Sequence, residues 1–378
     1  MDINYASGAF TVKPRRQTRN LTLDRSILPK TSGGQTHTNS VTSLVMYKDI
    51  LISSSWDSTI KVWSTDTWKC LATLDDQEDA VNDMCVCADK LVSCSDGTIN
   101  VWQFSTDDDS SSQGWHLWHT IDSESESPIN CVTSCEGRLA SGDDNGEIVI
   151  WNAKTWTKDL TIQQLGFDEN GVLSNESVAV SFLVGRDGQL FSGAADGTIR
   201  VWNTSTWVCE QVLQHGTDEV WSICFTPLGS MVSGSKDGSL MVWHQVAQES
   251  PKDDSSNSST AFVHRPDMLA TDSSSSSSPI SHTGSVKTNW KMNQKIQGSR
   301  AITASCFFND CIISTGYSET QATGTAITTR KLVRQWPEKI ATLEFVGEFG
   351  LDNNSLSLIV CDGKLVSGEA DGCIRVWK

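Results

Sequence analysis

The sequence has no long hydrophobic run and comparatively little positive charge. No apolar stretch approaches the roughly 20 residues that a membrane-spanning helix needs, and the opening MDINYASGAF lacks the hydrophobic core of a secretion signal. Its 378 residues include 29 lysines and arginines against 46 aspartates and glutamates, a net charge of -17. So acidic a chain repels the phosphates of nucleic acids. We therefore expect neither a membrane nor a nucleic acid as partner, and a location in the cytoplasm or, alternatively, also in the nucleus.

The sequence also lacks the short motifs of common catalytic and cofactor sites. It has no Gly-rich phosphate loop, no G-x-S-x-G nucleophile turn, no H-E-x-x-H metal motif and no dinucleotide fingerprint. Its 12 cysteines show no C-x2-C spacing with a histidine pair, and in a reducing compartment they stay free. We expect most of them to be small buried apolar residues. The prediction is therefore no catalytic residue, no metal site and no cofactor.

What the sequence does contain is a repeat. A segment with small residues, a polar turn and a strand ending in Val-Trp or Ile-Trp recurs six times. The copies are LISSSWDSTIKVW (51–63), LVSCSDGTINVW (91–102), LASGDDNGEIVIW (139–151), LFSGAADGTIRVW (190–202), MVSGSKDGSLMVW (231–243) and LVSGEADGCIRVW (365–377). A degenerate copy at 311–336 loses the Asp-Gly pair and the first Trp. Self-similarity at this spacing indicates a repeat fold.

The physics of one unit predicts a short sheet. Apolar residues that alternate on both sides of the turn are typical of strands with one buried face. The Asp-Gly pair is typical of a tight turn with positive φ. A sheet of this size cannot bury both of its faces alone. Radial stacking of several sheets, as in a β-propeller, solves that problem.

The Ser-Gly…Asp-Gly…Val-Trp pattern resembles the WD40-repeat family over essentially the whole chain from His37 onward. The resemblance implies an all-β fold, a seven-bladed β-propeller with blades 1 to 7 between about residues 37 and 378. The sequence stops after a third strand, so the last blade needs a fourth strand from elsewhere. We expect an N-terminal strand at about 19–29 to close this blade and to leave no exposed sheet edge.

We predict one propeller domain over residues 19–378, preceded by a basic, flexible tail at 1–18. Two polar segments separate a third strand from its fourth. One is 103–114, and the other is the Ser-rich, low-complexity insertion 244–288 in blade 5. Composition of this kind cannot pack a core. We expect the insertion to be a disordered loop on the bottom face.

In the WD40 family, a His, a Ser, an Asp and a Trp form a hydrogen-bonded network that stiffens a blade. Blade 1 matches the family at all four positions, with His37, Ser53, Asp57 and Trp63. Blade 5 has the order His215-Gly216 where the family prefers Gly-His, and the other blades lack the His. The prediction is a ring held by strand pairing and apolar packing rather than by seven such networks.

The resemblance also implies that binding takes place on the top face, at positions beside the start of each first strand and before each turn Asp. We align the first strands of the blades on their first core residue, which is Leu356 in blade 7. In this alignment, most of the top-face positions hold small neutral side chains. The predicted protein-binding residues are Trp56, Trp221, Lys236, Glu219, Asn82, Asn130 and Asp144. Exposed Trp is enriched at the energetic centres of interfaces. The alternative is that Trp56 or Trp221 packs beneath a neighbouring loop.

Three functions follow from these observations. The first is a non-catalytic scaffold that binds peptide segments of partner proteins, as a monomer unless it joins a larger complex. The second is a substrate-receptor or adaptor subunit of a ubiquitin ligase, although the W-D-x-R docking signature of such subunits is not matched after Trp63, Trp151 or Trp202. The third is a propeller-based hydrolase, for which the acids of the turns offer no catalytic arrangement.

Overall fold

All regular elements of the described chain are β-strands. The computed structural model describes residues 23–27, 36–105, 114–123, 127–167, 173–247, 288–298, 301–317, 326–335, 340–350 and 355–378. Over these residues the strands form seven four-stranded antiparallel sheets and one two-stranded sheet. The same residues contain no helix that could cross a lipid bilayer. The predicted all-β propeller fold is confirmed, while the predicted tail at 1–18 lies outside the described residues.

The strands are numbered along the chain, and the sheets follow them in order. The chain begins with β1 (Leu23–Ile27), which belongs to the last sheet. Sheet 1 consists of β2 (Val41–Tyr47), β3 (Ile50–Ser55), β4 (Ile60–Ser64) and β5 (Cys70–Leu74). Sheet 2 consists of β6 (Asp83–Cys87), β7 (Lys90–Cys94), β8 (Thr98–Ser105) and β9 (Gly114–Asp122). Sheet 3 consists of β10 (Ile129–Cys135), β11 (Arg138–Asp143), β12 (Glu147–Asn152) and β13 (Thr157–Gln163).

The second half of the chain repeats this plan after a small hairpin. The hairpin pairs β14 (Leu165–Phe167) with β15 (Leu173–Ser177). Sheet 4 consists of β16 (Val180–Arg186), β17 (Gln189–Ala194), β18 (Thr198–Asn203) and β19 (Cys209–Gln214). Sheet 5 consists of β20 (Val220–Phe225), β21 (Met231–Ser235), β22 (Ser239–Ala247) and β23 (Thr288–Gln297). Sheet 6 consists of β24 (Ala301–Phe308), β25 (Cys311–Tyr317), β26 (Ala326–Gln335) and β27 (Ile340–Gly350). Sheet 7 consists of β28 (Ser355–Cys361), β29 (Lys364–Glu369) and β30 (Ile374–Trp377), with β1 as its fourth strand.

The first strands of the sheets form a closed ring. Strand β2 contacts β6, and the contacts continue through β10, β16, β20 and β24 to β28, which contacts β2 again. The second, third and fourth strands of each sheet follow outward in order. The start of β2 lies beside the end of β3, because Val41 pairs with Ser55. We call this end of the ring, with its second-to-third-strand turns and its connections between sheets, the top face.

The glycine of the Ser-Gly motif sets how closely neighbouring sheets approach. A Cβ atom at Gly142 would lie 2.5 Å from Cγ1 of Val180, the first residue of the next sheet. A Cβ atom at Gly368 would likewise lie 2.5 Å from Cγ1 of Val41, across the closure of the ring. Both valines are fully buried. At Gly142 and Gly368 a larger side chain could therefore be accommodated only if the neighbouring valine moved.

Strand β1 completes sheet 7 from the N-terminal side. Leu23 pairs with Trp377 and Ile27 with Ile374, so the strand lies inside the segment 19–29 singled out from the sequence. The carboxylate of Asp24 also contacts the ammonium groups of Lys364 at 3.2 Å and Lys378 at 2.7 Å. Ion pairs on an exposed surface contribute little. Backbone pairing is therefore the main connection between the N-terminal strand and the last sheet.

Both polar insertions are shorter than the sequence predicted. Within 103–114, Phe104 pairs with Trp115 because β8 continues to Ser105 and β9 begins at Gly114. At the ends of 244–288, His244 pairs with Lys291 between β22 and β23, and residues 248–287 lie outside the described chain. A hairpin that already exists extends readily through polar residues, because each added pair satisfies further backbone groups.

The first strand of sheet 7 is shifted by one residue from the predicted alignment. Ser355, rather than Leu356, pairs with Glu369, as Val41 pairs with Ser55 in sheet 1. Ser355 is fully buried and Leu356 only partly. The segment SLSLIV alternates regularly, and in such a segment a shift of one residue exchanges the two faces. The prediction that Leu356 is the buried first core residue of this strand was therefore wrong, because Ser355 occupies that position.

Deletion of residues 1–27 should lower Tm by several degrees, because it removes β1 and exposes the edge of β30. Deletion of residues 1–18 is the matched control, since it leaves β1 in place. Thermal unfolding followed by circular dichroism compares the two proteins. Equal Tm values would contradict closure of the last sheet by β1.

Candidate functional site

A buried hydrogen bond joins the third strand to the second in six of the described sheets. In each, the indole N–H of the repeated Trp on the third strand donates to a Ser hydroxyl at 2.8 to 3.0 Å. The pairs are Trp63 with Ser53, Trp102 with Ser93, Trp151 with Ser141, Trp202 with Ser192, Trp243 with Ser233 and Trp377 with Ser367. A buried indole N–H needs an acceptor. This explains why the repeat carries both residues.

In sheet 1, the hydrogen bond continues through His37 to the turn. His37 Nε2 lies 2.7 Å from Ser53 Oγ, and His37 Nδ1 lies 3.1 Å from Asp57 Oδ2. Burial lowers the pKa of His37, so the ring is neutral near pH 7. Burial alone would raise the pKa of Asp57, but hydrogen bonds from His37 and Thr59 hold that pKa below its usual value. The four residues Trp63, Ser53, His37 and Asp57 thus form one continuous network.

Sheet 5 builds a comparable network despite the reversed His-Gly order. His215 Nδ1 lies 2.7 Å from Ser233 Oγ, and Nε2 lies 2.8 Å from Ser239 Oγ. Ser239 Oγ donates in turn to Asp237 at 2.6 Å. Since Ser239 gives its proton to Asp237, Nε2 of His215 carries the ring proton and Nδ1 accepts. The reversed order therefore inserts Ser239 between the His and the Asp.

Glutamine takes the place of the missing His in sheets 2 and 4, which the sequence analysis overlooked. Gln77 Oε1 accepts from Ser93 Oγ at 2.9 Å, and Gln164 Oε1 accepts from Ser192 Oγ at 2.6 Å. Both glutamines are buried. Each follows the last apolar residue of a fourth strand by two or three positions, as His215 does. That spacing was the signal that would have found them.

Charged groups reach the Ser of the last two sheets. In sheet 7, Ser367 Oγ donates to Glu369 at 2.7 Å, and Arg375 lies 2.9 Å from the same carboxylate. Burial raises the pKa of Glu369 to about 7, against the opposing effect of Arg375. In sheet 6, Arg330 donates to Ser314 at 3.2 Å. The Ser position is therefore shared, while its partner differs from sheet to sheet.

A second set of hydrogen bonds links neighbouring sheets at the top face. The donor is the side chain of the second residue of a first-strand segment. The acceptor is the backbone carbonyl of the first residue of the equivalent segment in the next sheet. These bonds run from Thr42 to Val81, Asn82 to Ile129, Asn130 to Val180, Ser181 to Val220 and Thr303 to Ser355, at 2.6 to 3.1 Å. Between sheets 7 and 1, Ser357 donates to the carbonyl of Val41 at 3.4 Å. Side chains at the top face thus connect sheets around the ring.

Two of the predicted binding residues belong to these links, and a third contacts one of them. Asn82 and Asn130 use their amide groups within the ring, and Asn130 Nδ2 also donates to Asp144 Oδ1 at 2.7 Å. Asp144 itself is exposed. The two asparagines therefore hold sheets together, whereas Asp144 still presents a carboxylate to solvent.

Trp221 occupies the same position in sheet 5 and behaves differently. Its indole N–H donates to Glu219 Oε2 at 3.0 Å, within its own sheet. Near this position sheets 5 and 6 are joined instead by the hydroxyls of Ser222 and Ser305, 3.2 Å apart. The Lys236 ammonium lies 5.6 Å from the centroid of the Trp221 ring and 3.5 Å from the same oxygen of Glu219. Glu219, Trp221 and Lys236 form one contact group, which we call the sheet 5 cluster.

Trp56 is the most exposed of the predicted aromatic residues. Its relative exposure is 49%, and its backbone N–H donates to the Ser40 carbonyl at 3.1 Å. Among the residues that the structure describes, no ring, cation or hydrogen-bond acceptor lies against its indole. Trp221, by contrast, is half-buried. The expectation of an exposed tryptophan therefore fits Trp56 best.

The top face is strongly acidic around these residues. Its described connections and turns contain the acids Asp57, Asp75, Asp76, Glu78, Asp79, Asp96, Asp144, Glu176, Asp196, Asp218, Glu219, Asp237 and Asp371. Lys236 is the one lysine or arginine in the same described connections and turns. Across all described residues, no group of three or more His, Cys, Asp or Glu side chains is arranged to hold a metal ion. The face thus presents dispersed negative charge.

Comparison with known families agrees with this architecture. Four stretches, residues 31–64, 68–103, 171–203 and 207–244, match the family model described as WD domain, G-beta repeat. They correspond to sheets 1, 2, 4 and 5. The chain is a WD40-repeat protein. The Trp–Ser bond of sheets 3 and 7 extends the WD40 arrangement beyond the four matched stretches.

Individual WD40 relatives match only in part. The "Nuclear distribution protein nudF" of Emericella nidulans is 36% identical over 20% of this chain and 17% of its own length. The "Target of rapamycin complex subunit wat1" of Schizosaccharomyces pombe is 24% identical over 52% of this chain and 59% of its own length. "Apoptotic protease-activating factor 1" of Homo sapiens is 27% identical over 53% of this chain and 15% of its own length. The chain thus spans less than two thirds of each of these relatives. WD40 propellers typically act as protein-interaction scaffolds.

Replacement of Gln164 by Met should destabilise this WD40 protein by about 1 to 3 kcal/mol, because the buried Ser192 hydroxyl loses its acceptor. The neighbouring Gln163 is exposed, and its amide donates to the Asn145 carbonyl and the Ser177 hydroxyl. Because water can replace these partners, Gln163→Met should cost less, about 0.5 kcal/mol. Denaturant unfolding measures both. Equal effects of the two substitutions would contradict the role assigned to Gln164.

The protein should lose stability on acidification through His215. Burial lowers the pKa of His215 from its usual value of 6.5 to about 4. Between these pH values the unfolded chain binds a proton at His215 that the folded protein does not, so stability falls as the pH drops. The Tm difference between wild type and His215→Gln should therefore shrink from pH 6.5 to pH 4. His119→Gln, at an exposed position, should follow the wild-type curve. A His215→Gln curve parallel to wild type would contradict this assignment.

Proposed function

We propose that this propeller is a non-catalytic scaffold that binds peptide segments of partner proteins on its top face. The observation that carries the proposal is the contrast among equivalent top-face positions. Five of them hold short polar side chains that bond to the next sheet, whereas sheet 5 holds Trp221, which contacts Glu219 instead. A large aromatic residue at a position where stability favours Thr, Ser or Asn supports a binding role.

Trp56 gives independent support for the same face. Its ring is half-exposed, and burying it beneath a partner would remove apolar surface from water. Tryptophan is among the residues most enriched at the energetic centres of protein interfaces. Trp56 and the sheet 5 cluster lie on the same end of the ring, so one partner segment or two separate ones can use them.

The relatives support an assembly role. One of them carries the name of a subunit of the target of rapamycin complex, and an equivalent place in a multiprotein complex is our proposal for this chain. The narrower alternative of a ubiquitin-ligase subunit stays a prediction, because no feature of the top face favours it. Binding of peptides and the monomeric state likewise stay predictions.

Substitution of Trp56 or Trp221 by Ala should reduce the recovery of partner proteins from a cell lysate, while Tm stays close to the wild-type value. Trp118→Ala is the matched control. Trp118 is 46% exposed, close to the 49% of Trp56, but it lies on β9, the outermost strand of sheet 2. Quantitative mass spectrometry of proteins captured by each variant gives the comparison.

The control decides how the capture experiment is interpreted. A loss of captured proteins with Trp118→Ala but not with Trp56→Ala or Trp221→Ala would place binding on the circumference and contradict the proposal. A large drop in Tm for Trp221→Ala would show that Trp221 stabilises the fold. Trp56→Ala would then be the one remaining test of binding at the top face.

A further inference from the structure

In the sheet 5 cluster, the Lys236 ammonium contacts both the Glu219 carboxylate and the Trp221 ring. One carboxylate oxygen of Glu219 accepts the Trp221 indole N–H at 3.0 Å and also lies 3.5 Å from the Lys236 ammonium. That ammonium is 5.6 Å from the centroid of the Trp221 ring. A carboxylate beside the face of a Trp is the combination that binds the ammonium of Lys or the guanidinium of Arg.

The contact with Lys236 is weak enough to be exchanged. The side chains of Lys236 and Glu219 are 42% and 31% exposed, and an ion pair this open to water contributes little to stability. Lys236 also has a long flexible side chain that can extend into solvent. By contrast, the indole N–H bond to Glu219 does not involve the ammonium. The Glu219–Trp221 pair therefore keeps its own hydrogen bond when Lys236 leaves.

We propose that Glu219 and Trp221 receive a Lys or Arg side chain from a basic partner segment, and that Lys236 is a resident competitor displaced on binding. This inference rests on the proposed scaffold function and names the chemistry of its partner. An incoming guanidinium has an advantage over Lys236, since its plane stacks on an indole while its N–H groups donate to a carboxylate.

The charge of the surrounding surface favours a basic segment. Lys236 is the one lysine or arginine in the described connections and turns of the top face, and acids surround it there. Asp218 and Asp237 flank the cluster directly in sequence, beside Glu219 and Lys236. A peptide with several positive charges is attracted to such a face. The cluster then gives one of those charges a defined position.

A peptide of alternating arginine and glycine, labelled with fluorescein, is the probe, and the same peptide with citrulline in place of arginine tests the charge. Fluorescence anisotropy should show tighter binding of the arginine peptide. Glu219→Gln should weaken its binding about three- to tenfold, through loss of the carboxylate partner. Glu176→Gln removes one exposed charge from the same face outside the cluster and should weaken binding less than twofold.

Removal of the competitor should have the opposite effect. Lys236→Met should tighten binding of the arginine peptide about threefold. Lys364→Met is its matched control, because Lys364 also lies 5.6 Å from a Trp ring, that of Trp68, and 3.2 Å from a carboxylate, that of Asp24. Lys364→Met removes the same charge from the end of sheet 7 that lies away from the top face. It should leave the affinity for the arginine peptide nearly unchanged.

Each outcome separates a defined site from general attraction. Equal effects of Lys236→Met and Lys364→Met, or of Glu219→Gln and Glu176→Gln, would overturn the inference and leave only the net charge. If Trp56→Ala and Trp221→Ala reduce protein capture while Glu219→Gln leaves the affinity of the arginine peptide unchanged, the inference fails and the scaffold proposal stands. If the affinity of the arginine peptide changes as expected but Trp56→Ala and Trp221→Ala leave protein capture unchanged, the scaffold proposal fails.

Discussion

Close approach of the first strands of neighbouring sheets is the constraint on which the ring depends. A single four-stranded sheet exposes two faces, and burying them requires each sheet to pack against the sheets on both sides. Gly142 and Gly368 permit this approach because no side chain stands between them and the valine of the next sheet. At the Gly142 junction, where the strands are this close, the side chain of Asn130 reaches the carbonyl of Val180 in the next sheet. Packing therefore comes first, and the polar links follow from it.

The buried Trp–Ser pairs show how a degenerate repeat keeps one structure. The Trp indole always donates to the Ser hydroxyl, whose own proton then needs an acceptor. A His ring supplies that acceptor in sheet 1 and a glutamine carbonyl in sheet 2. The two side chains differ in shape and volume but present an acceptor at a similar place. Satisfying the hydrogen bond, rather than keeping a particular residue, is what the fold requires.

The sequence was sufficient for the repeated sheets and for the closing strand β1, because alternation, turn residues and the incomplete last repeat indicate them. It did not predict the β14–β15 hairpin or the extension of β8, β9, β22 and β23 into the polar segments. It was insufficient where two registers had similar patterns, as at Ser355 and Leu356. The role of Gln77 could not be found by matching a family motif, since its acceptor oxygen matters rather than its residue type. Asn82 and Asn130 were predicted to bind partners because they lie at the top face. Their amides donate within the ring, which only the position of the next sheet determines, and their role in binding stays a prediction.

Stability and binding compete for the same positions at the top face. A Thr, Ser or Asn there contributes an inter-sheet hydrogen bond, worth on the order of 1 kcal/mol, and leaves little for a partner to contact. Trp221 gives up that bond, and the hydroxyl contact between Ser222 and Ser305 holds sheets 5 and 6 nearby. The ring tolerates the loss because Ile302 still packs against Gly234, as the corresponding residues do between other sheets. Since the backbone packing is retained, a single position can be given to a large aromatic side chain without opening the ring.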